Sequence, residues 1–326
     1  MPFNSVCRLG CTVHMKTLAV TVLILAAATS AMAIDLVNIT GFENINITGF
    51  ENINVTGFEN INITGYLREV GVPLAAKLRK IEEDTDHNPN RIVGGEYSYI
   101  EFFPYQVGLI PTTVYGDSVC GGSLLNTQRV LTAAHCWFDG QTQSASFKVV
   151  LGSTRLYGND GVRMETKDVT SHPSFVPPVT NDIAMIKLPY EVEYSSSITP
   201  IALPTGSELK DTFVGWYGMA SGFGYKRDGE STATEKFLRY VYLPIIPFNQ
   251  CYPFQNIDPS IYICASGAGG KSTCLGDSGG PIVVNSNGKI VLIGICSFIS
   301  NAGCEKGFPA VFTRVSAYMK WIKKLL

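Results

Sequence analysis

From Ile92 to its C-terminus the chain sets short apolar stretches, VLTAA, FKVVLG, DIAMIKL, IVLIGI and AVFTRV, between clusters of Gly, Pro, Asn and Ser. Stretches of four to seven residues rich in β-branched side chains and bounded by turn formers predict strands, so an all-β barrel or sandwich is expected. The C-terminus departs from this pattern. Tyr318, Trp321, Ile322 and Leu325 share one helical face behind Ser316, which can cap a helix, and predict a C-terminal helix. Upstream, Leu74, Leu78 and Ile81 predict a short amphipathic helix over about 74–83. The sequence DHNPN at 86–90 then reads as an exposed linker, because an Asn-Pro step resists helix and such linkers are where proteases cut.

Before that helix lies a repeat. An eight-residue phrase beginning at Asn38 is said three times and begun a fourth, ending at Tyr66. Each phrase carries N-x-T, at Asn38, Asn46, Asn54 and Asn62, and no such sequon follows Ile92. These are glycosylation acceptors if the chain is secreted. Secretion is what the N-terminus predicts: Met15-Lys16-Thr17, the apolar run LAVTVLILAAA and Ala31-Met32-Ala33 have the form of a signal peptide. The run is short of the roughly 20 apolar residues a spanning helix needs, so no membrane anchor is expected. The organisation read from the chain is therefore a signal peptide over 1–33, with Met15 a second candidate start, a leader over 34–91 and a globular domain over 92–326.

Cys7 and Cys11 would leave with the signal, which leaves seven cysteines for an oxidising compartment: three disulfides and one thiol left over. A net charge of −2, with only 16% of residues charged, lacks the basic footprint of a nucleic-acid binder. The four histidines are scattered without ligand-spaced partners, so no metal or cofactor is expected.

Three stretches carry chemistry: LTAAHC (131–136), NDIAMIKL (181–188) and CLGDSGGP (274–281). They supply one His, one Asp and one Ser. A free serine hydroxyl is a poor nucleophile; it needs an imidazole to take its proton and a carboxylate to hold that imidazole in one tautomer. Glycines beside the serine let backbone N–H groups approach an oxyanion without intervening side chains.

In their order and with cysteines beside two of them, these stretches resemble the chymotrypsin-like (trypsin-fold) serine peptidases over essentially all of 92–326. The resemblance implies two six-stranded antiparallel β-barrels, about 92–205 and 206–326, packed against each other with the active site between them, and a C-terminal helix. It implies His135 as general base, Asp182 as its orienting carboxylate, Ser278 as nucleophile, and the N–H groups of Gly276 and Ser278 as the oxyanion hole. It implies the pairs Cys120–Cys136, Cys251–Cys264 and Cys274–Cys304. Cys296, left over, is read as a buried small hydrophobe, with a reactive thiol as the lesser alternative. The sequence RIVGG then gains a meaning: a cut after Arg91 frees Ile92, whose ammonium can pair with Asp277. The repeat lies on the discarded side of that bond, its sequons serving either as a solubilising shield or as a neutral expansion.

The implied specificity pocket has Ser272 at its floor and Cys296, Ser297, Phe298, Ile299 and Ala310 in its walls. It carries no charge to attract Arg or Lys, so cleavage after large apolar residues is expected. Ile299 and Ala310 fall where open-pocketed chymotrypsins typically carry glycine, which keeps an elastase-like preference as the alternative. The stretches SGAGGKSTCLGDSGGP and SFISNAGCEKGFPAVFTRV also resemble the brachyurin or serine-collagenase group and insect digestive chymotrypsin-like enzymes. Several collagenolytic members carry a carboxylate where Ala310 stands, so collagenolysis stays open. The whole implies a secreted, digestive, monomeric zymogen acting on protein and peptide substrates. A trypsin-like protease would activate it, and protein protease inhibitors are candidate partners. The rival is a non-catalytic secreted binding protein on the same scaffold.

Overall fold

The structure is a computed structural model that describes residues 63–85, 99–228, 238–254 and 257–326. The segment read as a signal peptide, the four sequon asparagines and the Arg91–Ile92 bond lie outside the described residues. Within them fourteen strands form two antiparallel sheets. The first joins β1 (Gln106–Thr113), β2 (Gly116–Asp117), β3 (Cys120–Asn126), β4 (Arg129–Thr132), β5 (Ser146–Leu151), β6 (Val162–Thr166), β7 (Val169–Ser171) and β8 (Ala184–Lys187). Its order is β6-β5-β1-β3-β4-β8-β7, with β2 on β1. The second is a closed barrel of β9 (Tyr217–Gly222), β10 (Arg239–Ile246), β11 (Tyr262–Ala265), β12 (Pro281–Ser286), β13 (Lys289–Phe298) and β14 (Ala310–Arg314).

The all-β architecture is the expected one, and the second barrel has the expected six strands. The first sheet has eight strands and does not close. Its last strand, β7, is three residues long and pairs only with β8, so no ladder returns to β6. Strand β6 alternates, with Met164 and Thr166 buried around exposed Glu165, as a half-solvated antiparallel strand should. Strands β1 and β3 are buried almost throughout, because the second barrel and the leader cover what a solvated sheet would expose.

Both helices form, with corrected starts. α1 (Val72–Thr85) begins two residues before the expected Leu74 and continues a π-helical turn, Leu67–Gly71, in which the Val72 N–H donates to Leu67 O. Pro73 explains the irregular turn. It has no N–H for the α-helical ladder, so the preceding residues take the wider i→i+5 bonding instead. At the C-terminus a 3₁₀ turn, Val315–Tyr318, leads into α2 (Met319–Leu325); Ser316 lies inside that turn and no side chain caps it. Ile322 and Met319 carry the buried face, with Trp321 and Leu325 packed half-buried at its edges.

The core holds a surprise. Ile63, Tyr66, Leu67, Leu74, Ala75 and Leu78 belong to the same buried cluster as Val107, Leu109, Leu131 and Phe147 of the first sheet. Residues 63–78 are thus packed as part of the domain. Leu67, Leu74 and Leu78 are each at most 1% exposed. Burying such a side chain is worth on the order of 1.5–3 kcal/mol, before the entropy of ordering the segment is subtracted.

Candidate active site

His135 sits on a 3₁₀ turn, Ala134–Cys136, directly after β4, and the Cys120–Cys136 disulfide clasps that turn to β3. Its ring is fully buried. Asp182 lies just before β8, which pairs with β4, so the two ladders bring His135 and Asp182 together. The His135 backbone N–H donates to Asp182 Oδ1 at 2.9 Å, and Nδ1 lies 2.8 Å from Oδ2. A carboxylate at Nδ1 holds the proton there and leaves Nε2 free to accept one. Ser297 Oγ donates to the same Oδ2 at 2.6 Å, and Thr313 Oγ1 donates to the Asp182 carbonyl at 2.9 Å. The sequence placed Ser297 in a pocket wall; its second role, holding Asp182 from β13, needed the fold.

Ser278 is buried on a turn tied to both sheets by main-chain bonds. Gly121 N–H of β3 donates to its carbonyl at 2.7 Å, and the next residue's N–H donates to Cys296 O at 2.8 Å. Gly276, at φ +101°, turns the backbone in a way a side chain would resist. The Asp277 carboxylate accepts the N–H groups of Gly224 and Cys274, both at 2.8 Å. The other two disulfides join Cys251–Cys264 and Cys274–Cys304, the pairs the resemblance implies. His135 and Ser278 meet across a third residue, Tyr66 of the leader. Its ring stands edge-on to His135 at 5.3 Å between centroids, and it lines one cleft with Ser278.

A buried His–Asp pair beside a serine on a glycine-rich turn, between two antiparallel sheets, agrees with a family comparison. The family model described as Trypsin matches residues 92–322. The chain belongs to the trypsin family. It is 41% identical over 240 residues to a collagenase of Hypoderma lineatum, covering 72% of this chain and 86% of that one. It is 37% identical over 237 residues to brachyurin of Leptuca pugilator, covering 71% and 97%. A solved structure of HL collagenase superposes with a TM-score of 0.63 at 40% identity, covering 72% of this chain and 98% of that one. As a trypsin-family serine protease, the chain acts on protein substrates. No helix among the described residues is long and apolar enough to cross a membrane.

A cleft of about 370 Å³ opens at Ser278, walled by Cys296, Ser297, Phe298 and Ile299. The structure does not bring the other two pocket candidates there. Ser272 lines a second cleft, of about 360 Å³, on the Asp277 side. Ala310 packs inside the second barrel with Cys296 and Phe312 and lines neither. The Cys296 thiol is buried, and burial pushes its ionisation well up, which is the signature of an inert cysteine. The groupings of Cys120 with His135 and Cys136, and of Asp228 with Cys274 and Cys304, resemble metal sites only by proximity, since their sulfurs are disulfide-bonded. Asp228, absent from the sequence-based candidates, reaches this cleft from a loop far upstream, and its carboxylate accepts the N–H groups of Cys304 and Glu305.

The leader covers the cleft. Ile63, Tyr66 and Val70 line it together with Ser278. The Tyr66 hydroxyl donates to Val119 O at 2.9 Å. Burial pushes the phenol's ionisation well up, so the group is a neutral hydroxyl. The Leu67 N–H donates to buried Asp139 at 2.8 Å. Leu74 leans on the turn itself: a Cβ at Gly276 would lie 2.5 Å from Leu74 Cδ2.

Farther along α1, Arg79 pairs with Asp117, and Lys77 stands over the Tyr225 ring. Glu82 accepts the N–H groups of Leu156 and Tyr157. Burial pushes its carboxyl up to about 7 against those bonds and against Arg155 and Arg163. A carboxyl whose docked value exceeds its free value takes up a proton on docking, so its contribution is full below about pH 4.5 and is lost as pH rises through about 7. Hydrogen exchange over 72–83, corrected for intrinsic rates, is therefore expected to show falling protection from pH 5 to pH 7.5. Glu82→Gln should flatten that slope; an unchanged slope would assign the pH dependence to another group.

Proposed function

We propose that this chain is the precursor of a secreted serine endopeptidase that cuts after large apolar residues and serves digestion. In the mechanism established for serine peptidases of this kind, Ser278 Oγ attacks the scissile carbonyl while His135 Nε2 takes its proton and later returns it to the leaving amine. Asp182 holds the imidazole and stabilises the imidazolium. The N–H groups of Gly276 and Ser278 receive the oxyanion. The observation that carries this reading is the buried His135 Nδ1–Asp182 contact of 2.8 Å, with the Tyr66 ring that stands against His135 lining one cleft with Ser278.

Two features support the zymogen reading. RIVGG stands at the start of the family match. Asp277 lies beside Ser278 and borders a cleft lined by Ser221, Gly222 and Tyr225, a space suited to an incoming Ile92. Cutting at Arg91 would give Ile92 the ammonium that Asp277 can pair with, and the same step can draw Ser272 and its loop toward the floor of a specificity pocket. Secretion is supported by the signal-like N-terminus and by three disulfides, which persist in oxidising compartments.

Apolar specificity rests on Phe298 and Ile299 in the cleft wall. The test is a cleavage-site profile of the activated chain on a denatured protein mixture, with Ser278→Ala treated identically. Cuts after Phe, Tyr, Leu or Met are expected; cuts confined to Ala and Val would mean that Ile299 closes the pocket mouth. Ile299→Gly should shift the ratio of Phe to Ala cleavage upward by about tenfold or more, the usual scale for reshaping an apolar pocket. A second reading, cleavage of native collagen, is favoured by the likeness to proteins named collagenase, and incubation with triple-helical collagen tests it directly.

A further inference from the structure

The leader does more at the cleft than pack. Its side chains fall on the residues to which the proposed function gives chemistry: the Tyr66 ring on His135, Tyr66 in one cleft with Ser278, and Leu74 against Gly276. The group presented to them is a phenol, and the backbone behind it is a turn running into a helix. A peptidase of this fold binds its substrate extended, by strand addition along residues such as Ser297–Ile299. A helical turn cannot add as a strand, and a phenol offers no carbonyl to attack. The segment therefore fills the position of a substrate without being one.

The repeat supplies an independent observation. Its first three phrases carry Phe42, Phe50 and Phe58 at the position where the fourth carries Tyr66. The hydroxyl that distinguishes the fourth is the atom that bonds Val119 O. No cysteine lies between Ile34 and Arg91, so a leader cut at Arg91 would be held by non-covalent contacts alone. Those contacts are extensive: three fully buried leucines, the Arg79–Asp117 ion pair and the Glu82 bonds to main-chain N–H groups.

We propose that residues 63–83 form a built-in inhibitor that stays on the cleft after the Arg91–Ile92 bond is cut, with Tyr66 blocking the approach to Ser278. This rests on the peptidase reading of Ser278 and Gly276. Activation then takes two steps, the cut and the departure or digestion of the leader. The protected partner is the chain's own cleft, and the competitor is an extended peptide substrate.

The test compares the wild-type chain with Tyr66→Phe and Tyr66→Ala, each cut at Arg91 by a trypsin-like protease that is then inhibited. Gel filtration followed by mass spectrometry reads whether the leader fragment co-elutes with the domain. Hydrolysis of a small apolar peptide amide reads inhibition. The expected result is a co-eluting fragment in the wild type, at least tenfold higher activity in Tyr66→Ala, and an intermediate gain in Tyr66→Phe. A synthetic peptide of residues 63–83, added to enzyme washed free of its leader, should restore inhibition competitively, while its Tyr66→Ala form should need at least tenfold more. This arm needs no variant to fold. An active wild type whose fragment elutes apart, or equal activity in all three chains with no inhibition by the peptide, would overturn the inhibitor and leave the peptidase reading standing. A co-eluting fragment with no hydrolysis by any chain, washed enzyme included, would instead sink the peptidase reading, and inhibition with it.

Discussion

Ser278→Ala is expected to lower kcat on an apolar ester or amide substrate by about a million-fold, the scale on which serine peptidases lose rate when the nucleophile is removed. The loss should be chemical and not structural. The substitution deletes one oxygen, while the turn is held by main-chain bonds: Gly121 N–H to Ser278 O, Gly279 N–H to Cys296 O, and Cys296 N–H to Gly280 O. Near-ultraviolet circular dichroism and the melting temperature should therefore match the wild type. A variant that kept more than about one part in a hundred of the activity would place the nucleophile elsewhere, since the oxyanion hole and binding alone leave a far smaller residue of catalysis.

Asp182→Asn should cost about ten-thousand-fold in kcat at neutral pH, a magnitude known for the chymotrypsin-like triad and not obtained from this structure. The geometry gives the reason. Asp182 accepts three donors, the His135 N–H, His135 Nδ1 and Ser297 Oγ. An amide can accept at one atom only and must donate at the other. Turning its NH₂ toward Nδ1 would force the imidazole into the tautomer that carries its proton on Nε2, where it cannot take one from Ser278. The check is kcat together with the melting temperature. A large fall in kcat with a modest fall in melting temperature fits loss of the tautomer, whereas collapse of both would show that Asp182 acts mainly as a buried structural acceptor.

What was legible in the sequence follows from what period and spacing can encode. Runs such as FKVVLG and AVFTRV became β5 and β14 because β-branched residues bounded by turns leave few alternatives. The candidate residues of the site could be picked out because nucleophilic serine chemistry demands three unlike side chains, each in its own local stretch, and the structure brings two of them, His135 and Asp182, into contact. The helix at Leu74 and Leu78 was legible too, but not what it packs against. Periodicity shows that a face is buried, and only tertiary structure shows under what. The leader therefore read as a discarded segment, though Leu67, Leu74 and Leu78 are as buried as the barrel core. One signal was present in plain view: Tyr66 replaces the phenylalanine of the three preceding repeats.

The pocket was the least legible part. Ser272 and Ala310 were assigned by resemblance, yet one stands on the Asp277 side and the other inside the second barrel. Pocket walls are built from loops whose placement depends on everything they touch, including here a leader that lies across the cleft. Asp228 shows the same limit, being fifty residues from Ser278 in sequence and in the wall of one cleft with it in space.

The most direct measurement is active-site labelling. The chain cut between Arg91 and Ile92 and washed free of its leader would be incubated with a fluorophosphonate, and the adduct mapped by peptide mass spectrometry. The account predicts one adduct, on Ser278, lost in Asp182→Asn as well as in Ser278→Ala, because only a serine activated by His135 and Asp182 attacks phosphorus at a useful rate. An unmodified Ser278 in the leader-free chain would contradict it.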